Sequence, residues 1–333
     1  MPKAEKNIET TEVKEPVEVK EPVEVQDNDM FGIDVEVSDP AFGSIYPIVQ
    51  WVNGDRTKKK SEDIDYTGGF FVSAEQGIEI PGAHPYKLMT QEGQEVDGFA
   101  IRDLVLHPLR YRRSWICLPK EGGLQMRFPW DAYEDAKEHD CKNSPRGRGQ
   151  LLAIIEGMNQ PVCLTFSGMV SAHVFSRGKD RGVLSNYGQV IVGRARALAR
   201  RKGRDIEYPL CAFKLSMGPE RNAEGPVFTK VGQGTATNYV VYPVWLDKPA
   251  GIPGEDHIGR LFAGRELFAK LQDWHREADE WVAQWSTKAL IEQLKTFLTN
   301  KSSLAESLKG MGTSEGETAA EGEGLPGERE VPF

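Results

Sequence analysis

The chain has 333 residues, 39% of them hydrophobic, with a formal net charge of −9. That length holds one large or two ordinary domains, and the low apolar share leaves part of the chain outside any core. Net acidity speaks against nucleic acid only if the charge is evenly spread, and it is not. Residues 1–30 and residues 311–333 each carry −5, so 31–310 sums to +1, and within it residues 142–204 reach +10. Charge separated this sharply creates a local field that the overall balance conceals.

In chain order, residues 1–30 contain VKEPVEVKEPVEV, a Pro-punctuated repeat of Glu, Lys and Val without aromatics. This composition predicts a disordered or extended arm. The N-terminus shows no apolar stretch of the kind a secretory signal needs, and a cytoplasmic location is expected. From 31 to 250, Gly and Pro punctuate short apolar or alternating runs. Strands are predicted near 46–52, 69–73, 99–106, 110–118, 151–156, 162–175, 208–217 and 239–246. The expected fold is α+β, mainly β: an OB-like β barrel with an inserted helix near 186–202. The uncharged run 157–176 contains Asn159, Gln160, Pro161 and His173, which makes it a poor lipid span; no membrane partner is expected.

Residues 251–310 change character and predict a C-terminal helical segment. Leu267, Leu271, Trp274, Ala278, Trp281 and Trp285 recur at alternating spacings of four and three, which is an amphipathic helix with a coiled-coil-like seam. A second segment follows, with Leu290, Leu294 and Phe297. Such a seam serves either a helical hairpin on the β domain or a homo-oligomer interface. Residues 311–333 read as a disordered acidic tail.

Four stretches carry candidate chemistry. In LRYRRSWIC (109–117) strand alternation places Tyr111, Arg113 and Trp115 on one side and Arg110 and Arg112 on the other. Rings interleaved with cations suit single-stranded nucleic acid, because every base has a π-face and every linkage a negative charge. Trp51 and Phe70 are weaker candidates for the same role. KNSPRGRGQ (142–150) reads as a mobile basic loop presenting Lys142, Arg146 and Arg148. RARALARRKGR (194–204) offers Arg194, Arg196, Arg200, Arg201 and Lys202 to phosphates, unless nearby acids balance them. The turn at Asn53-Gly54 is followed by Lys58, Lys59 and Lys60.

Signatures of catalysis are missing: there is no phosphate-binding P-loop and no G-x-S-x-G elbow. Neither a cofactor nor a metal is expected. Acids such as Asp63 with Asp65, or Asp131 with Glu134, leave a metal-dependent nuclease as an alternative, beside a structural or assembly protein that oligomerises through the helix. The four cysteines lack a C-x-x-C pair and read as reduced, packed thiols.

The chain ends GEREVPF. With the basic, aromatic-bearing body, this acidic ending resembles the tails of bacterial and phage single-stranded DNA-binding proteins. Glu328, Glu330, Val331, Pro332 and Phe333 match the family's acidic-apolar tip, while Arg329 departs from it. The resemblance implies a non-enzymatic protein of DNA replication, recombination or repair, and the longer body with Arg329 points to a phage, plasmid or other divergent member. Its tail would recruit replication and repair partners and compete with single-stranded DNA for the basic groove. RNA offers the same chemistry and stays open as a ligand.

Overall fold

The computed structural model describes residues 46–58, 62–89, 94–117, 126–138, 144–176, 182–231, 238–292 and 295. The elements run β1 (Ile48–Val52), α1 (Ile64–Thr67), β2 (Gly69–Ser73), β3 (His84–Met89), β4 (Glu95–Ile101), β5 (Leu104–Cys117), β6 (Met126–Pro129), α2 (Tyr133–Glu138), β7 (Arg146–Ile155) and β8 (Val162–Ser167). Then come α3 (Gly168–Phe175), α4 (Val183–Tyr187), α5 (Gly193–Arg201), β9 (Leu215–Pro219), β10 (Arg221–Asn222), β11 (Gly225–Pro226), β12 (Phe228–Val231), β13 (Asn238–Val241), β14 (Pro243–Trp245), α6 (Glu255–Leu261) and α7 (Arg265–Ala283). A π-helical turn, Gly188–Val192, joins α4 to α5 without a break, so the helix expected near 186–202 is present and begins at Val183.

The fold is mixed α+β and mainly β. Its centre is one curled ten-stranded sheet, ordered β14-β9-β5-β7-β8-β1-β2-β4-β3, with β6 paired to β5 off that path. All its pairings are antiparallel except β1 with β8. Two expected elements change. The run 162–175 is a strand only to Ser167; beyond it, Gly168 at φ 57° turns the chain into α3. The separate strands expected at 99–106 and 110–118 are largely one strand, β5, whose register shifts by a bulge between Pro108 and Arg110.

The continuous apolar run LLAII of β7 marks a strand covered on both faces. Leu151, Ala153 and Ile155 enter one core with α3, α4, α5 and α6, while Leu152 and Ile154 enter a second core beneath α7. The bulge in β5 reverses the strand's phase. Before it the even-numbered Leu104 and Leu106 lie in the first core; beyond it the odd-numbered Tyr111 packs against that core and the even-numbered Arg112 meets α7 beside the second. The α7 seam meets this second core: Leu271, Ala278 and Trp281 are buried with Leu109, Leu152, Ile154 and Cys163, and Leu267 and Trp274 pack against them. Leu290 is buried, whereas Leu294 and Phe297 lie outside the described residues. No helix among those residues is long and apolar enough to cross a membrane.

Cys163 and Cys211 are free and buried, as expected. Cys117 departs from expectation because it is disulfide-bonded; sequence spacing carries no signal for such a pairing.

His107 on β5 is buried, with Nδ1 3.0 Å from the Cys211 carbonyl. Burial pulls its pKa below the ordinary imidazole value, and burial does the same to His173 and His275. Above the unfolded pKa of about 6.5 these rings are neutral in both states and cost nothing. As pH falls below that value the unfolded chain takes up protons that the folded chain resists, so stability drops. Urea midpoints should fall between pH 7 and pH 5, and His107→Gln should flatten part of that slope. A midpoint independent of pH across this window would show that the rings titrate alike in both states.

Candidate nucleic-acid interface

Beyond the bulge, β5 separates its side chains as alternation requires. Arg110 and Arg112 point to α7. Arg110 pairs with Asp279 at 2.5 Å, and its Nε reaches the His275 carbonyl at 3.4 Å. Arg112 is 6% exposed. Its Nε donates to Gln150 Oε1 at 2.8 Å, and its Nη1 donates to the Trp281 carbonyl at 2.7 Å and to Gln284 Oε1 at 2.8 Å. The guanidinium also lies 4.0 Å from the ring centre of Trp281 and 4.3 Å from that of Trp285. Burial lowers its pKa to about 10. Arg112 therefore fastens α7 to the sheet, and the phosphate contact expected of it does not fit a side chain so enclosed.

KNSPRGRGQ is not the mobile loop its glycines suggest. From Arg146 onward it is β7, a central strand paired to β5 and β8. Gly147 faces Trp115 and Gly149 faces Arg113 across the β5–β7 ladder. A Cβ at Gly147 would lie 3.2 Å from Trp130 and 3.4 Å from Trp115. These glycines make room for rings; they do not confer flexibility. The intervening Arg146 and Arg148 share the other face with Arg112 and Gln150. Arg146 is exposed, and burial lowers the pKa of the half-buried Arg148. From β6, Arg127 donates from Nη1 to Ser114 Oγ at 2.8 Å and covers the Trp285 ring at 4.0 Å.

The opposite face gathers rings. Tyr111 stacks on Phe175 at 5.4 Å. Arg113 lies 4.4 Å over Trp130 and donates to the Phe175 carbonyl at 3.3 Å. Trp115 stacks on Trp130 at 4.4 Å with 6° between planes, and Tyr133 meets it at 4.6 Å. The Trp115 indole N–H donates to the Trp130 carbonyl at 2.8 Å, which fixes the stack. Trp115, Trp130 and Tyr133 are half-buried, retaining area in solvent. Trp130 and Tyr133 escaped the sequence reading. The signal was the density of rings in FPWDAY, residues 128–133, which no alternation pattern flags.

Other candidates are placed differently. Trp51 is 6% and Phe70 0% exposed, packed edge to face at 5.0 Å inside the first core. Rings enclosed in this way offer no face to a base, which corrects their assignment as platforms. The α5 cations meet acids that follow them in sequence: Arg196 pairs with Glu207 at 4.0 Å, Arg200 with Asp205 at 3.3 Å, and Lys202 with Glu255. Arg194 donates to the Pro253 carbonyl at 2.9 Å, and Arg201 is exposed. The positive charge of that helix is thus partly offset by its neighbours. Lys58 is exposed. Lys59, Lys60, Lys142, and the tail with Glu328, Glu330, Val331, Pro332 and Phe333 lie outside the described residues. Among the described residues no group of three or more His, Cys, Asp and Glu is placed to hold a metal ion.

No family model, curated protein or solved structure matches the chain.

Proposed function

We propose that the protein binds single-stranded nucleic acid at the end of the sheet built by β5, β6 and β7. DNA is the first candidate ligand, and RNA a second with the same chemistry. The observation that carries this reading is the half-buried Trp115–Trp130–Tyr133 cluster with the Arg113 guanidinium 4.4 Å over the Trp130 ring. Aromatic faces accept unpaired bases of any sequence, and guanidinium groups hold the linkages between them. In this reading the curled sheet does the work of an OB-like barrel. The protein acts in the cytoplasm in DNA replication, recombination or repair, without catalysis, and its acidic 311–333 segment recruits replication and repair partners.

The rival reading, assembly through the C-terminal helix, loses its main support because the α7 seam is taken up by the chain's own sheet.

The test is an oligonucleotide titration, single against double strand, at several salt concentrations, followed by tryptophan emission. Each phosphate neutralised contributes about −0.7 to the log–log salt slope for single strands, so two to four contacts give roughly −1.5 to −3. Trp130→Ala and Trp115→Ala should each weaken binding by about 1–3 kcal/mol with the fold retained. A flat salt plot, equal affinity for duplex, or folded variants that bind like wild type would overturn the assignment.

A further inference from the structure

The arginine face beneath the end of α7 contains more donors than the described chain supplies with acceptors. Arg112, Arg127, Arg146 and Arg148 come from three adjacent strands. Their positions follow from the register, in which Arg112 faces Gln150, Ser114 faces Arg148 and Ile116 faces both Arg146 and Arg127. Arg112 and Arg127 lie over the same Trp285 ring at 4.3 and 4.0 Å. Arg148 is close enough to Arg112 for its charge to help lower the Arg112 pKa. The Arg148 Nε is buried without a hydrogen-bond partner, and so is the indole N–H of Trp281, whose ring Arg112 covers.

Crowded like charges and unmet donors are costly in a low-dielectric setting. Exposed Arg146 beside half-buried Arg148 leaves this layer open to solvent at one end. A planar fork of N–H donors matches the oxygens of phosphate, and a tetrahedral oxyanion satisfies several donors at once.

We infer that this layer is a built site for one phosphate-class oxyanion. Arg148 and Arg146 are its principal ligands, and the Arg112–Trp285–Arg127 stack is its wall. The inference goes beyond strand binding by the aromatic cluster on the opposite face and stands without it. The phosphate comes either from a nucleic-acid backbone or from a free phosphate or phosphorylated small molecule.

The experiment compares thermal unfolding of the full chain in sodium phosphate and in sodium chloride at equal ionic strength, with ³¹P line broadening as a second readout. A ligand that binds only the folded state raises its stability by mass action. Phosphate at tens of millimolar should raise Tm by about 2–6 °C over chloride. Arg148→Gln should abolish the difference, and Arg148→Lys, which lacks the Nε fork, should shrink it at least several-fold. Equal Tm in the two salts with no ³¹P broadening overturns the site, as does a phosphate shift that survives Arg148→Gln. If Arg148→Gln does not fold, Arg148→Lys and the wild-type ³¹P titration decide. Oligonucleotides without terminal phosphates separate the two sources. Phosphate binding without oligonucleotide binding leaves this site standing and removes the strand-binding proposal; oligonucleotide binding without any phosphate response does the reverse.

Discussion

Arg112→Met should lower the unfolding free energy by about 2–4 kcal/mol and Tm by roughly 5–12 °C, although the substitution puts a hydrophobe where a charge was. The reason lies at the C-terminus of α7. The last four carbonyls of a helix have no partner within it. Here the Glu280, Val282 and Ala283 carbonyls accept from the backbone N–H groups of Gln284, Trp285 and Ser286. The Trp281 carbonyl instead accepts from Arg112 Nη1 at 2.7 Å. A cation at this end also suits the helix dipole. Methionine keeps the stem's packing between the tryptophans but leaves Trp281 O and Gln150 Oε1 without that donor, while the exposed Gln284 amide turns to water. Each unmet buried acceptor costs about 1–3 kcal/mol, and relief from burying a charge offsets part of the sum. Tryptophan emission should move to the red as Trp281 and Trp285 loosen. An unchanged Tm would mean that the apolar seam alone holds α7 and that Arg112 is incidental.

Several of these features were legible in the sequence, each for a local reason. Alternation in LRYRRSWIC placed Arg110 and Arg112 opposite Tyr111, Arg113 and Trp115, because a strand's side chains change face at every residue. The 4-3 spacing of Leu267 to Trp285 gave the α7 helix and its apolar stripe. What the stripe packs against was not legible, since a seam looks the same whether it meets a sheet or another helix. Burial was also hidden. Trp51 and Phe70 have the same residue types as Trp115 and Trp130, and only the tertiary surroundings send one pair into the core and leave the other half in solvent.

Charge balance depends on pairings that a residue count does not show. Whether acids balance the α5 cations was open in the sequence, and Asp205, Glu207 and Glu255 fold back onto three of them. The +10 segment thus includes a helix whose charge is partly balanced and a strand pair whose arginines crowd together. The second group, Arg146 and Arg148 beside Arg112, acquires its meaning only from the β5–β7 register.

The largest misreading, RGRGQ as a loop, leads to the second strong expectation. Gly149→Ala should destabilise the protein by about 2–3 kcal/mol, while Gly147→Ala, two residues earlier on the same face, should cost under about 1 kcal/mol. A Cβ at Gly149 would lie 2.5 Å from Phe175 Cδ2, nearer still to Cε2, and 2.7 Å from Ser171 Oγ. The Phe175 ring cannot swing away easily, because it is buried between Tyr111 at 5.4 Å and Phe166 at 5.7 Å. At Gly147 the same atom would sit 3.2 Å from Trp130 and 3.4 Å from Trp115, and those half-buried rings have solvent to move into. Gly147→Ala should therefore change the tryptophan spectrum and oligonucleotide affinity more than stability, with Gly149→Ala doing the opposite. Phe175→Leu in the Gly149→Ala background should recover part of the lost stability, since the smaller side chain relieves the overlap that caused it. Urea unfolding of the two single variants and the double variant provides the measurement. Equal costs at the two glycines, or no recovery by Phe175→Leu, would mean that ring clearance does not set the difference; backbone entropy alone would make both substitutions stabilising, because neither glycine has a positive φ.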